Sequence, residues 1–414
     1  YRNLDIKTTL AGNTISVDAE GKDNEGEIRG HLKLTNGQIK HLQGTLQIEN
    51  LQTGRLGLGS MHPDARLSLN TEVNVSATDI DDIRGSLSIN DFIVETNEQD
   101  STIAHLPQFT LNTDIDAKGF RTLYIDSEPL KLDAQGHYRF STLAATIQNT
   151  LHKRLPNLIE AKNIYARADD LQFALSFQDT VLLDRLGMKG VCIPERLHFY
   201  GSMHGNDSLD ITADIPFIKF GKEHLRNSSI RINGTKNDLT ADVTTERLQK
   251  SGFVTVYLKS SAHDNRLRLI AGADNKRKPA YKGEMDITTS FFRDSDGNSS
   301  TRIWIAPTEI LVSDTLWRVH PAIVSLNKQS ATIHGLKIST DKGIRGTTDY
   351  GRGIYINGTV STNREDTLKV KLHDIDVSYI LDIVNFKSVL FDGYASGTAI
   401  ATGLLANLNA SADI

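Results

Sequence analysis

The sequence predicts an all-β protein with a few short helices, built as a long curled antiparallel β-sheet. Three observations carry that prediction. Apolar residues fall at alternate positions over most of the 414 residues, and strand side chains alternate faces, so each such segment offers one apolar and one wet face. The connectors are short and rich in Gly, Asn and Asp, as in TNG (35–37), SDGN (295–298), DKG (341–343) and INGT (356–359), which is hairpin chemistry. Finally, LQGTLQIENL (42–51) returns as IRGSLSINDF (83–92), and LNTEVNVSA (69–77) returns as LNTDIDAKG (111–119). A block that recurs suggests similar units added side by side.

Taken in order, the repeat places Leu42, Leu46 and Ile48 on one face and, after a turn pair, Leu51. In its second copy Ile83, Leu87, Ile89 and Phe92 stand in those places, and Gly44 matches Gly85. RLSLNTEVNV (66–75) puts Leu67, Leu69, Val73 and Val75 opposite Arg66, Ser68, Asn70, Glu72 and Asn74. The same alternation runs through 108–116, 208–215, 229–235, 253–259, 266–272, 331–339, 353–360 and 367–373. Antiparallel sheets tolerate a solvated face and parallel βαβ sheets do not.

Helix signals interrupt the strands three times. After Ser141, Leu143, Ile147, Leu151 and Leu155 stand four apart and Pro156 ends the run, the pattern of a helix of about 14 residues. TVLLDRLG (180–187) comes after a capping Asp179 and stops at Gly187, and VSYILDIVNF (377–386) comes after Asp376. The expected organisation is a repetitive sheet segment at 1–140, a helix-containing insertion at 141–190 and a continuing sheet segment at 191–414.

Between about 25 and 30 strands are implied, roughly 120–140 Å of flat ribbon at about 4.8 Å per strand. Open twisted sheets rarely exceed about ten strands without curling, splitting or repeating radially. The repeat length resembles a propeller blade of about 40–45 residues, but it stops after residue 119 and brings no Trp-Asp signature. A curled trough is the favoured form.

Composition excludes several classes. Lys+Arg 46 against Asp+Glu 51 gives a net charge of −5, and a nucleic-acid surface needs clustered cations. A single cysteine, Cys192, admits no internal disulfide and reads as a small buried hydrophobe. No run of 18 apolar residues exists to span a bilayer. Both ends read as cut, so the chain is expected to be a fragment of a longer polypeptide whose targeting or anchoring segment lies elsewhere.

Catalytic and cofactor motifs are missing: there is no G-x-S-x-G, H-E-x-x-H, phosphate loop or C-x-x-C, and the thirteen histidines are scattered. No enzyme, metal or cofactor is therefore expected. DSDGN (294–298) imitates a calcium loop, but Gly297 is misplaced and Ile305 stands where a bidentate Glu belongs; a hairpin tip fits better. DNKRKP (274–279) reads as a solvated turn, with a lipid-headgroup contact as the sharper alternative. NGT at 233–235 and 357–359 fits turns after strands as well as glycosylation.

What remains is the apolar stripe: Leu67, Leu69, Val73, Val75, Leu87, Ile89, Leu111, Ile115, Ile211, Ile232, Val254, Val256, Leu267, Leu269, Ile333, Ile354, Ile356, Leu368, Val370 and Leu372. It is either the core of a sandwich or the lining of an open groove. In a groove such side chains would solvate acyl chains, since exposing a sixteen-carbon tail to water costs roughly 10 kcal/mol or more.

The C-terminal stretch adds a family resemblance. EILVSDTLWRVHPAIVSLNKQSATIHGLKIS (309–339), IYINGTVSTNREDTLKVKLHDIDVSYILDIV (354–384) and LFDGYASGTAIATGLLANLNASADI (390–414) resemble the TamB family, the translocation and assembly module proteins of diderm envelopes, related to AsmA-like bridge proteins. Trp317, Pro321, Gly358, Asp366, Leu368, Val370, Leu372, Gly393, Gly397 and Gly403 occupy the family's positions, and LKLDAQGHYRFSTLAATIQNTL (130–151) looks like its strand–helix junction. The resemblance implies a taco-like sheet with a hydrophobic groove, held in the periplasm by an inner-membrane anchor outside these residues. It also implies that the groove carries phospholipid acyl chains between inner and outer membranes. An outer-membrane β-barrel is the implied partner, and the alternative role is a scaffold assisting barrel assembly or secretion.

Overall fold

A computed structural model describes all residues except 1–3, 24–25, 53–64, 97–100, 164–168, 180–189, 250–251, 279, 313–314, 341–351, 377–392, 404–408 and 414. It is an all-β chain with one described helix, and its 26 strands belong to one sheet in which each described pairing is antiparallel. The sequence-predicted helices at 180–187 and 377–386 and the DKG turn lie outside the described residues. By its packing the chain divides into Tyr1–Ile147 with Lys162–Ser229, and Gln148–Ala161 with Ile230–Ile414. The helix-bearing stretch contributes residues to both units, and each unit is described by itself.

Unit 1 is a meander. Its strands are β1 (Leu4–Ala11), β2 (Thr14–Asp23), β3 (Gly26–Asn36), β4 (Lys40–Gln52), β5 (Arg66–Ala77) and β6 (Arg84–Thr96). They continue with β7 (Ser101–Ile115), β8 (Arg121–Ser127), β9 (Leu130–His137), β10 (Asp170–Asp179), β11 (Val191–His204) and β12 (Ser208–Phe220). Every strand from β1 to β11 pairs antiparallel with its successor. Where the turns are short, as between β1 and β2 or β8 and β9, they leave the chain no other neighbour to reach. The helix α1 (Leu143–Arg154) comes after β9 where the sequence places it, because the apolar period changes from two to four after Ser141.

The repeated decapeptide does not contain a turn pair. The first copy lies inside β4 and the second, from Arg84 on, inside β6, and the chain forms a bulge beyond Ile48: the register with β5 shifts between Ile48 and Leu51. Asn50 takes φ 50° and Asp91 takes φ 52°. A positive φ is several-fold commoner for Asn and Asp than for other non-glycine residues, so the repeat preserves residue types that a bulge accepts.

β13 (Glu223–Gly234) carries the boundary between the units. Unit 2 continues with β14 (Asp238–Gln249), β15 (Gly252–His263), β16 (Arg266–Asp274), β17 (Tyr281–Arg293), β18 (Ser299–Ile305), β19 (Thr308–Val312) and β20 (Thr315–Val319). Then come β21 (Ala322–Leu326), β22 (Ser330–Thr340), β23 (Gly353–Ser361), β24 (Thr367–Asp376), β25 (Tyr394–Thr402) and β26 (Asn409–Asp413). Strands β14 to β17 pair in order.

β17 then pairs with β18 along one half and with β19 along the other. β18 pairs with β21, β19 with β20, and both β20 and β21 with β22. Two long strands are thus each broken once, at Ala306–Pro307 and at His320–Pro321. A proline supplies no N–H to the ladder, and the two breaks face each other, since Ile305 opposes Ala322 and Thr308 opposes Val319. From β22 to β26 the meander resumes.

Two polar tips behave as the sequence suggests. Asp294 accepts from the backbone N–H of Asp296 at 3.0 Å and of Asn298 at 2.8 Å, closing its own hairpin. Asp274 and Asn275 cap the Lys276–Arg277 turn in the same way. INGT (356–359) is different. The sequence reads it as a hairpin, but it lies inside β23. There Asn357 accepts from the Gly335 N–H at 3.1 Å, beside a register shift between Ile333 and Leu336, so this Asn-Gly serves a bulge in the preceding strand, β22.

Candidate functional site: an apolar sheet face

Residues directly opposite in an antiparallel pair share a face, so the register tests the stripe. In unit 1 one row runs Val17, Leu32, Gly44, Val73, Leu87, Leu111, Ile125, Leu132, Leu175, Phe199, Ala213. A second runs Leu34, Leu42, Val75, Gly85, Thr113, Leu123, Ala134, Phe173, Gly201, Ile211. Ile48 opposes Leu69, Thr71 opposes Ile89, and Ile115 opposes Arg121. Each of the nine sequence-predicted residues in unit 1, from Leu67 to Ile211, therefore lies on one face.

Unit 2 repeats the result. Ala262, Leu267, Thr289, Ile303, Val324, Ile333, Gly358, Leu368 and Ala401 form one row. Leu269 opposes Ile287, and Val254 and Val256 share a face with Ala262. Ile354 opposes Leu372, and Ile356 opposes Val370. Ile232 lies on β13 and is half-buried. The sequence-predicted stripe omits the residues of β8 to β11, among them Ile125, Leu132, Leu175 and Phe199. Their alternation in TLYID, LKLDA, DLQFALSF and RLHFYG was the available signal.

Burial separates groove from sandwich. All the sequence-predicted residues except Val254, which is 5% exposed, are half-buried. A second sheet packed about 10 Å away would seal such side chains.

The opposite face is polar, and several of its charges are paired. Arg268 meets Asp286 through two bonds, at 3.0 and 2.6 Å. The arginine is the main cause that holds the Asp286 carboxyl below its usual range. Arg318 meets Glu309 at 2.9 Å. The Tyr257 hydroxyl donates to Glu284 at 2.7 Å, and that bond is the largest cause pushing its pKa up to about 12.

At one end of unit 1's apolar face stands a polar rim that sequence reasoning missed. Arg121 is 1% exposed and lies directly opposite Ile115 and Gly136. Its guanidinium sits 4.6 Å from the Phe140 ring centre and 5.6 Å from that of Tyr138, and it donates to the Asp81 carbonyl. Burial pushes the Tyr138 phenol up to about 12, with the Arg121 charge opposing. Burial also resists ionisation of Asp81, but Ser141, which donates through N–H at 3.0 Å and through its hydroxyl, keeps it below its usual range. Asp169, also 1% exposed, holds the start of α1: it accepts from Thr142 Oγ1 at 2.8 Å, Thr146 Oγ1 at 2.6 Å and the Arg139 N–H at 2.9 Å. In unit 2, Arg154 donates from Nη1 to the Thr150 carbonyl at 2.6 Å, and Asn157 is held by Asn265 Oδ1 at 2.7 Å and donates to the Phe291 carbonyl at 3.1 Å.

No helix among the described residues is long and apolar enough to cross a membrane. No family model, curated protein or solved structure matches the chain.

Proposed function

We propose that the apolar face is a slide for acyl chains, and that the chain is a non-enzymatic segment of a periplasmic conduit carrying phospholipid between two membranes. The observation that supports this most is a joint one: residues spread over more than three hundred positions share one face within each unit, and all but Val254 remain half-buried. A stripe of Leu, Ile and Val offers an acyl tail about 0.8 kcal/mol per shielded CH₂, and its uniformity gives no deep trap. The resemblance to TamB in 309–414 supports the same reading. Native mass spectrometry of the purified chain tests it: co-purified phospholipid is expected, with loss in Val256→Asp and Leu368→Arg variants that keep their strand content. A folded chain free of lipid under conditions that retain lipid on a control carrier contradicts it.

One observation favours a second reading, a scaffold for outer-membrane barrel assembly. β1 pairs only with β2 among the described strands, and its Ile6 and Leu10 are 57% and 74% exposed. Such an edge can accept a further strand. Capture of a barrel-derived strand peptide by β1, in a chain without lipid, would favour it over the conduit.

A further inference from the structure

The polar face of unit 2 carries a depression that the conduit reading leaves unused. Lys337, Tyr355, Lys371 and Thr398 stand directly opposite one another on β22 to β25. Together with His373 and Ser396 they line a cavity of about 700 Å³. No carboxylate is among its described lining residues. Of the acids nearby, Asp374 is engaged by Arg352 at 2.9 Å, and Asp413 opposes Thr398 on β26.

The two lysines stand two strands apart, about 9.6 Å between backbones by strand spacing, on either side of the Tyr355 position. Lys371 is exposed and forms no ion pair among the described residues. Ser396 Oγ accepts the Asp374 N–H at 2.8 Å, so its own hydroxyl hydrogen can be given to a ligand. We propose that this depression binds a phosphate-bearing anion. The Lys371 ammonium, a phenol and two aliphatic hydroxyls, with the Lys337 charge beside them, supply more donors than the two coplanar oxygens of a carboxylate can use, whereas a tetrahedral oxyanion can accept them from several directions. Lysine serves phosphate as a point charge and needs no planar fork. The chemistry is common to a phospholipid headgroup and a soluble phosphoester. The site is independent of the acyl slide, being on the other face.

Calorimetric titration of the chain with inorganic phosphate tests the site, and co-sedimentation with phosphatidylglycerol or phosphatidylcholine vesicles identifies the source. The expected result is saturable phosphate binding that weakens at least tenfold in Lys337→Gln/Lys371→Gln. It should be unchanged in Lys369→Gln, which alters a lysine on the same strand and face outside the cavity lining. If the double variant melts early, Lys371→Gln alone carries the test, because that side chain is exposed. Phosphate binding together with phosphatidylglycerol capture, both lost in the variant, supports a headgroup ligand; phosphate binding without vesicle capture supports a soluble phosphoester. Absence of phosphate binding at tens of millimolar, or equal binding by wild type and the lysine variant, overturns the proposal whatever the vesicles do.

Discussion

Asn50 and Asp91 occupy the same place in two copies of one decapeptide, and each takes a left-handed backbone, φ 50° and 52°. Asn50 also donates its N–H to Ser68 Oγ at 2.9 Å, so the bulge is anchored to the neighbouring strand. A β-branched side chain at this φ clashes with its own backbone, at a cost of about 1–2 kcal/mol. Asn50→Val and Asp91→Val are each expected to destabilise by that amount in urea unfolding, whereas Asn50→Gly stays within about 0.5 kcal/mol of wild type.

The repeat's glycine has an equally specific reason. A Cβ on Gly44, at φ 152°, would stand 2.0 Å from the His31 carbonyl oxygen, and one on Gly85, at φ 127°, 2.0 Å from that of Asn74. Both obstacles are backbone, so relief requires opening the ladder. Gly44→Ala and Gly85→Ala are expected to cost about 2–3 kcal/mol each, and faster hydrogen exchange confined to β3–β4 or β5–β6 would locate the damage.

Asp169 ties α1 to unit 1 through side chains distant in sequence. Removing it leaves the Thr142 and Thr146 hydroxyls and the Arg139 N–H without their shared acceptor in a buried place. Asp169→Ala should lose about 2–4 kcal/mol, and Asp169→Asn, which keeps one carbonyl oxygen, clearly less. Equal losses in thermal unfolding would show that the carboxylate's hydrogen bonds are not what holds the helix.

The Tyr257–Glu284 pair makes stability depend on alkaline pH. The phenol donates to the carboxylate, and its pKa is raised from 10.0 to about 12. The raised value belongs to the neutral, donating form, so the contribution is complete below pH 10, the unfolded pKa, and fades as pH rises to about 12. The pair is largely exposed, and solvent screening keeps its contribution small. Ultraviolet titration of the phenols should show one late-ionising tyrosine fewer in Glu284→Gln.

Period-two alternation made the strands and their shared face readable, because a side chain's face depends only on its parity along a strand. That is why residues as distant as Leu67 and Leu111, or Leu267 and Leu372, were placed together without knowledge of their register. Parity fails at bulges. The residues after Ile48 and the Asn357–Gly358 pair carry the same letters as hairpin turns, and only pairing with the adjacent strand distinguishes the two uses. The rim around Arg121 was illegible for another reason. Asp81 meets Ser141 sixty residues away, and Asp169 meets Thr146 across a break in the chain's periodicity, so no local spacing announces either contact.

The central claim is that acyl chains travel along one face of the sheet and not the other. Leu269 and Ile270 are adjacent, similarly apolar and both half-buried, but they point to opposite faces of β16. A photo-crosslinking residue placed at each position in turn, in cells or with labelled phospholipid, tests the claim most directly. The account predicts lipid adducts at position 269 and few at 270; equal labelling at both, or none at 269 in a folded chain, would contradict it.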